Sequence, residues 1–340
     1  MLGEDDRIEE VSSASRAELA IGFYVPGDKR LVIIGDRVAG GLNEESTIAH
    51  EYVHALQDST YGIGRYRRSH SEDEHAEFGT TTGCVIEGDA SVAQYEYLEA
   101  AYGSDWYSLL LAEYADNPAL EDEDDSFEAS ASSIPDAMLR YFYFNYTECA
   151  AFVYDIWFED GWDGVDALYE DPPASTEQIL HPEKYRDGEL PHRVEVTDLT
   201  RTLGTGWRPL YRTVFGEFDV YNYLLTGNLS ISAAQGAAEG WGGGRMSVYT
   251  RGLDPDQDVT LHIALTWDTD ADMVQFQTAF DAAIDRLGYE ERSGDDGTWH
   301  WSSPGENGLA VWDDENARVD LLYGTDETAF LYAEAALLAD

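Results

Sequence analysis

Apolar and polar positions first organise around a PGDK turn at 26–29, with GFYV before it and RLVIIGD after it, a pattern that predicts a β-hairpin. From Thr47 to Asp58 the period becomes helical. Ile48, Tyr52, Val53, Ala55 and Leu56 supply an apolar stripe, and Glu44 and Glu45 charge the helix entry favourably. Residues 59–78 are polar, rich in Arg, His and Glu, and read as a surface loop. A second helix is expected over 80–101, an exposed acidic loop over 119–130, and an aromatic-dense helical region from Asp136 to Phe158. DPPAST (171–176) breaks the pattern, and Ser175 or Thr176 caps a short helix over 177–180. A longer helix is expected over 208–226, and GWGGGR (240–245) reads as a glycine turn leading into the strand MSVYTRG. From Val259 onward the character changes: TLHIALTWD, TWHWSS, LAVWD and VDLLYG read as strands, and 271–287 and 327–339 as helices. The order predicts an α+β protein. An acidic lead-in (1–19) precedes a domain over 20–255, with a small N-terminal sheet and a helical half. A small α+β unit follows over 256–340.

Charge changes this picture more than composition does. Hydrophobic residues make up 43% of the 340, enough for a core, but 68 acidic residues face 20 basic ones for a net −48. The acids are spread along the whole chain, and self-repulsion on that scale strains a compact protein in dilute buffer. Salt relieves it, because the Debye length shrinks to ~3 Å at 1 M, so the chain reads as halophilic. With 22 Tyr, 9 Trp and 12 Phe it is not a disordered polyanion. The absence of a basic footprint excludes nucleic acid as a partner. No run of about 18 apolar residues is present to span a membrane, and MLGEDDRIEE has neither the charged n-region nor the apolar core of a signal peptide.

The strongest chemical signal is His50-Glu51-Tyr52-Val53-His54. On a helix, positions i and i+4 share a face, so both imidazoles reach one metal ion, and Glu51 beside that face can address a water. Catalytic zinc takes three protein ligands. Glu87, in CVIEGDAS, is the favoured third: a carboxylate among Val85, Ile86, Ala90 and Val92 is costly to bury unless paired or metal-bound. His70, His75 and Glu77 are the other candidates, in a stretch where a solvated face is the simpler reading. Asp58 and Asp89 are possible acceptors for the ligand imidazoles, with plain solvated carboxylates as the alternative.

TIAHEYVHALQD resembles the metal helix of the gluzincin class of zinc metallopeptidases, the thermolysin-like arrangement, and VIEGDA fits the helix whose Glu completes such a site. As a set, GFYVPGDKR, HEYVHALQD, IEGDAS, PPASTEQILHPEKY, FGEF and GWGGGR resemble a group of haloarchaeal surface proteins and bacterial relatives. One departure is Gly244, where an acidic residue is expected. The resemblance implies a gluzincin-like fold and one zinc ion on His50, His54 and Glu87. It implies hydrolysis of a peptide or protein substrate with Glu51 as general base, at the cell surface or outside the cell. The hairpin at 22–35 would offer an edge strand to an extended peptide.

The segment 175–185 adds His181 and Tyr185 as candidate donors to the oxyanion formed in peptide hydrolysis, against the simpler reading of a capped turn. Arg245 and Tyr249 are weaker candidates for that role, Glu217 reads as a network carboxylate, and His192, His262 and His300 as structural. Cys84 and Cys149 fit either a disulfide or two buried thiols. The rival to the enzyme is a surface or binding protein that keeps a structural zinc site. Glu51 weighs against it, since a structural site has no use for a carboxylate between its histidines.

Overall fold

The computed structural model describes residues 22–33, 41–69, 76–115, 135–252, 258–293 and 297–339. The acidic stretches 1–19 and 119–130, together with His70 and His75, lie outside them. The architecture is α+β, in two compact units.

The first unit comprises residues up to 72, 78–173 and 179–186. Strands β1 (Gly22–Val25) and β2 (Arg30–Ile33) form the expected antiparallel hairpin around the PGDK turn. Helix α1 (Leu42–Thr60) carries the HEYVH motif, and α2 (Ile63–Ser69) occupies part of what was expected to be a loop, with Ile63 and Tyr66 buried. Helix α3 (Phe78–Tyr102) carries Glu87, and α4 (Trp106–Ala115) follows it. The aromatic region divides at Thr147 into α5 (Asp136–Tyr146) and α6 (Glu148–Ala167); the short helix α7 (Thr176–Leu180) has its first three residues in the second unit, and α8 (Pro182–Asp187) follows. The core gathers Val85, Ile86, Val92, Leu98, Phe144, Phe152, Val153 and Ile156. Helices α3 and α6 meet at Gly88. A Cβ there would lie 2.5 Å from the Cys149 carbonyl oxygen and 2.5 Å from Val153 Cγ2, so only glycine permits the approach. One turn away, Cys84 and Cys149 form a disulfide with Cα atoms 4.9 Å apart, which resolves the choice the sequence left open.

Helix α1 reverses the expected orientation. Its buried positions are Leu42, Ser46, His50, Glu51, His54 and Gln57, almost all polar, while Ile48, Tyr52 and Leu56 are exposed by 40%, 59% and 49%. A helix cannot bury two opposite faces against one core. The packing here favours the face that carries the histidines.

The second unit takes in 73–77, 174–178 and 187–340. Its centre is a seven-stranded antiparallel sheet in the order β3-β4-β5-β9-β8-β7-β6. The strands are β3 (Trp207–Val214), β4 (Trp241–Arg251), β5 (Asp258–Trp267), β6 (Glu290–Ser293), β7 (Thr298–Ser303), β8 (Glu306–Asp313) and β9 (Arg318–Gly324). One layer of the core joins Ile263, Leu265 and Trp267 of β5 to Phe276 and Phe280 of α11 (Asp270–Leu287), with α9 (Glu217–Thr226) and α10 (Ile231–Ala238). Another joins Tyr249, Leu309 and Leu322 to Leu199, Leu203 and Phe330, the last on α12 (Glu327–Leu337). Strand alternation sends neighbouring residues into different layers, as Leu321 and Leu322 do.

Two expectations change in this unit. Residues 208–226 are not one helix: WRPLYRTV is strand β3, and the helix begins only at Glu217. The division expected at 255/256 cuts a single sheet, since β4 pairs with β5 from Trp241↔Trp267 to Arg251↔Asp258. Of the glycines in GWGGGR, Gly240 (φ 78°) lies in the turn before β4, but Gly242, Gly243 and Gly244 lie within the strand. A Cβ on Gly244 would fall 2.2 Å from the Phe215 carbonyl oxygen, which leaves no room for the acidic side chain expected there.

Candidate metal centre

Helix α1 presents His50, Glu51 and His54, whose ligand atoms all lie within 4.8 Å of one another. The i, i+4 spacing of the histidines brings their rings to 4.7 Å between centroids at an interplanar angle of 87°. Helix α3 brings Glu87 to the same place. Its Oε2 stands 3.4 Å from His50 Nε2 and 3.5 Å from His54 Nε2. These separations are at the long end for hydrogen bonds. They match the edge of a tetrahedron, about 3.3–3.4 Å when the bonds to the central ion are 2.0–2.1 Å long. Two imidazole nitrogens and a carboxylate oxygen are a donor set zinc accepts. The residues therefore fit the ion the sequence implies.

The electrostatics fit it as well. Burial pushes the Glu87 carboxyl up, but hydrogen bonds and charge from His50 and His54 outweigh it and hold Glu87 well below the usual carboxylate range. Burial lowers the His54 imidazole, and Glu87, Gln57 and Glu51 more than reverse that, leaving it above its ordinary value. Two imidazoles and a carboxylate packed so closely favour a proton among them, and a divalent cation would serve in its place.

Behind the donors lies a layer the sequence only partly revealed. Gln57 Oε1 sits 2.8 Å from His54 Nδ1, while Gln57 Nε2 donates to the Ile86 carbonyl at 3.0 Å and to Asp89 Oδ2 at 2.8 Å. Tyr169 donates to the same Asp89 oxygen at 2.7 Å, and its ring stacks on Tyr61 at 3.9 Å. Burial raises the Asp89 carboxyl despite these hydrogen bonds. Asp89 thus reaches His54 through Gln57 rather than directly. Asp58 accepts a 3.1 Å hydrogen bond from Tyr24 of the hairpin. Gln57 and Tyr169 were not among the residues singled out from the sequence. Gln57 was the more accessible of the two, standing three positions after His54 on the same helix.

The remaining candidates have other partners. Tyr185 donates its hydroxyl to the Asp171 carbonyl at 2.8 Å and sets its ring edge-on to Phe152. His181 Nδ1 stands 3.9 Å from Glu183 Oε1. In the second unit, Glu77 is buried rather than solvated, and its carboxylate accepts from the Thr176 backbone N–H at 2.7 Å. Glu217 and Arg245 are buried there too, and the Tyr249 hydroxyl accepts from Leu199 N–H. His262 pairs with Asp320 and His300 with Glu334, both at 2.8 Å. Among the described residues no helix is long and apolar enough to cross a membrane.

Residues 206–331 match the model of a family described as "Domain of unknown function (DUF8575)". That stretch lies within the second unit and includes none of His50, Glu51, His54 and Glu87. No curated protein and no solved structure matches the chain.

Proposed function

We propose that the chain is a zinc-dependent hydrolase of peptide bonds, adapted to high salt and acting at the cell surface or outside the cell. The observation that carries the reading is the approach of Glu87 to 3.4 Å and 3.5 Å of the two imidazoles, with the Glu51 carboxylate beside them. His50, His54 and Glu87 would hold one zinc ion. A zinc ion in such a site supplies a Lewis acid that polarises a carbonyl and acidifies water. Glu51, only 9% exposed, takes the proton of the attacking water and returns it to the leaving amine. The gluzincin-like arrangement, peptide class and location rest on the resemblance of the HEYVH and IEGDAS segments, and the salt adaptation on the net charge of −48.

His181 is the first choice for the donor to the carbonyl oxygen as negative charge develops there, with Tyr185 second. His181→Ala is expected to keep zinc and fold and to lose roughly 10²–10³ in turnover, the usual cost of one such donor. The deciding experiment pairs metal analysis with assays on a peptide library. Wild type should carry about one zinc per chain and cleave peptides. Glu51→Gln should keep the zinc and lose the activity. Equal cleavage by both proteins, or none by either, removes the hydrolase and leaves a surface protein with a structural zinc.

A further inference from the structure

Resting on that reading, we infer that the open groove beside the metal centre is a specificity pocket for an aromatic side chain of an extended peptide substrate. The groove encloses about 510 Å³ and is walled by Tyr95, Tyr146, Ala150, Ala151, Tyr154 and Phe158. That volume is in the range of small-ligand sites, roughly 300–1,000 Å³.

Two observations join the groove to the metal centre. On α3, Glu87, Ser91 and Tyr95 fall at i, i+4 and i+8, so Tyr95 stands on the face that carries Glu87, about 12 Å further along the axis. From the other side, Tyr146 lines the groove while its ring centroid lies 6.1 Å from that of His50. A chain whose side chain fills the groove therefore runs its backbone past the histidines.

The lining selects the occupant. Rings line the groove from three helices, α3, α5 and α6, and two alanines leave the space between them. Tyr95 is backed by Trp106 at 5.5 Å, and Tyr154 packs against Trp157 and Phe158. Phe158 and Tyr154 are exposed by 69% and 46%, apolar surface that an occupant would cover. The one charged side chain of the lining, Asp155, pairs with Arg186, and the Thr147 hydroxyl donates to the Tyr143 carbonyl at 2.9 Å. An acidic side chain would find no cation in the lining. An aromatic ring meets other rings in stacked or edge-on contact.

Ala151→Trp tests this, since Ala151 is exposed in the groove and the larger side chain fills it without entering the core. Phe158→Ala removes a wall instead and guards against misfolding of the first variant. The probes are the pentapeptides Ala-Ala-Phe-Ala-Ala and Ala-Ala-Asp-Ala-Ala. Hydrolysis is measured with zinc-loaded protein, and binding with zinc-loaded Glu51→Gln protein. The Phe peptide should be cut with the higher kcat/KM. Both variants should keep full zinc and lose at least about 10-fold on that peptide. Ala151→Trp should also abolish its binding to Glu51→Gln. Hydrolysis that ignores the Phe, or is unaffected by both variants, overturns the pocket and leaves the peptidase standing. Binding of the Phe peptide that Ala151→Trp abolishes, without hydrolysis by wild type, supports the pocket and removes the peptidase. Neither binding nor hydrolysis overturns both.

Discussion

Gln57 fixes which nitrogen His54 can offer to a metal. Its Nε2 is committed as a donor to Ile86 and Asp89, so the oxygen of the same amide faces His54 Nδ1 and must accept its proton. The Nε2 lone pair of His54 is then left on the side of Glu87. Gln57→Leu keeps the bulk and loses the acceptor. Zinc affinity should fall about 10–100-fold, measured by competition with a chelator. An unchanged affinity would show that the ring needs no such support.

Glu77 should make the protein less stable as the pH rises. Burial, then the charges of Asp219 and Glu177, push its carboxyl far above the usual range, and the hydrogen bonds from Thr176 only partly offset them. Burial raises Asp219 as well, though Gly216 N–H donates to it. The folded protein therefore retains protons that the unfolded chain has released above about pH 4.5. Their contribution is complete below that pH and is lost as the pH climbs through the raised folded-state values. Between about pH 5 and 8 the melting temperature should decline in wild type and decline less in Glu77→Gln. Parallel curves for the two proteins would contradict the assignment.

Salt should act on the whole molecule. With a net charge of −48, unfolding relieves self-repulsion in dilute buffer, and screening removes that advantage. The melting temperature should rise as KCl goes from dilute to molar concentration, and a flat response would refute the halophilic reading.

The disulfide should contribute through the unfolded chain. Cys84 and Cys149 are 65 residues apart, and closing a loop of that length is worth about 4 kcal/mol. Cys84→Ser with Cys149→Ser should lower the denaturant midpoint accordingly. Zinc retention should weaken too, because the bond holds α3 against α6 one turn from Glu87. Equal midpoints would mean that packing at Gly88 suffices by itself.

What could be read in the sequence was local. His50 and His54 share a face on any helix, and Glu87 stood out as a carboxylate in an apolar run, so the three side chains could be expected in one place before their distances were known. The orientation of α1 could not, because hydrophobic periodicity points to Ile48, Tyr52 and Leu56 as the inner face when they are the outer one. A helix whose buried residues are mostly polar, as here, defeats that signal. The misplaced boundary near 255 has another cause. β4 and β5 are consecutive in the chain and pair along their length, but residue pattern shows where strands run and not that one sheet unites them. Gly243 and Gly244 misled for the opposite reason: glycine suggests a turn, but here it admits neighbouring backbone into the middle of a strand.

The bond between Cys84 and Cys149 also makes a covalent ring of the intervening chain, and that ring contains the acidic stretch 119–130. A backbone cut in that stretch would open the ring without releasing a fragment. His50, Glu51, His54 and Glu87 would all remain on the upstream piece, tied by sulfur to the helix that begins at Glu148. Under the proposed peptidase activity, nicking by a second copy would then be a survivable injury, visible as two fragments on a gel only after reduction.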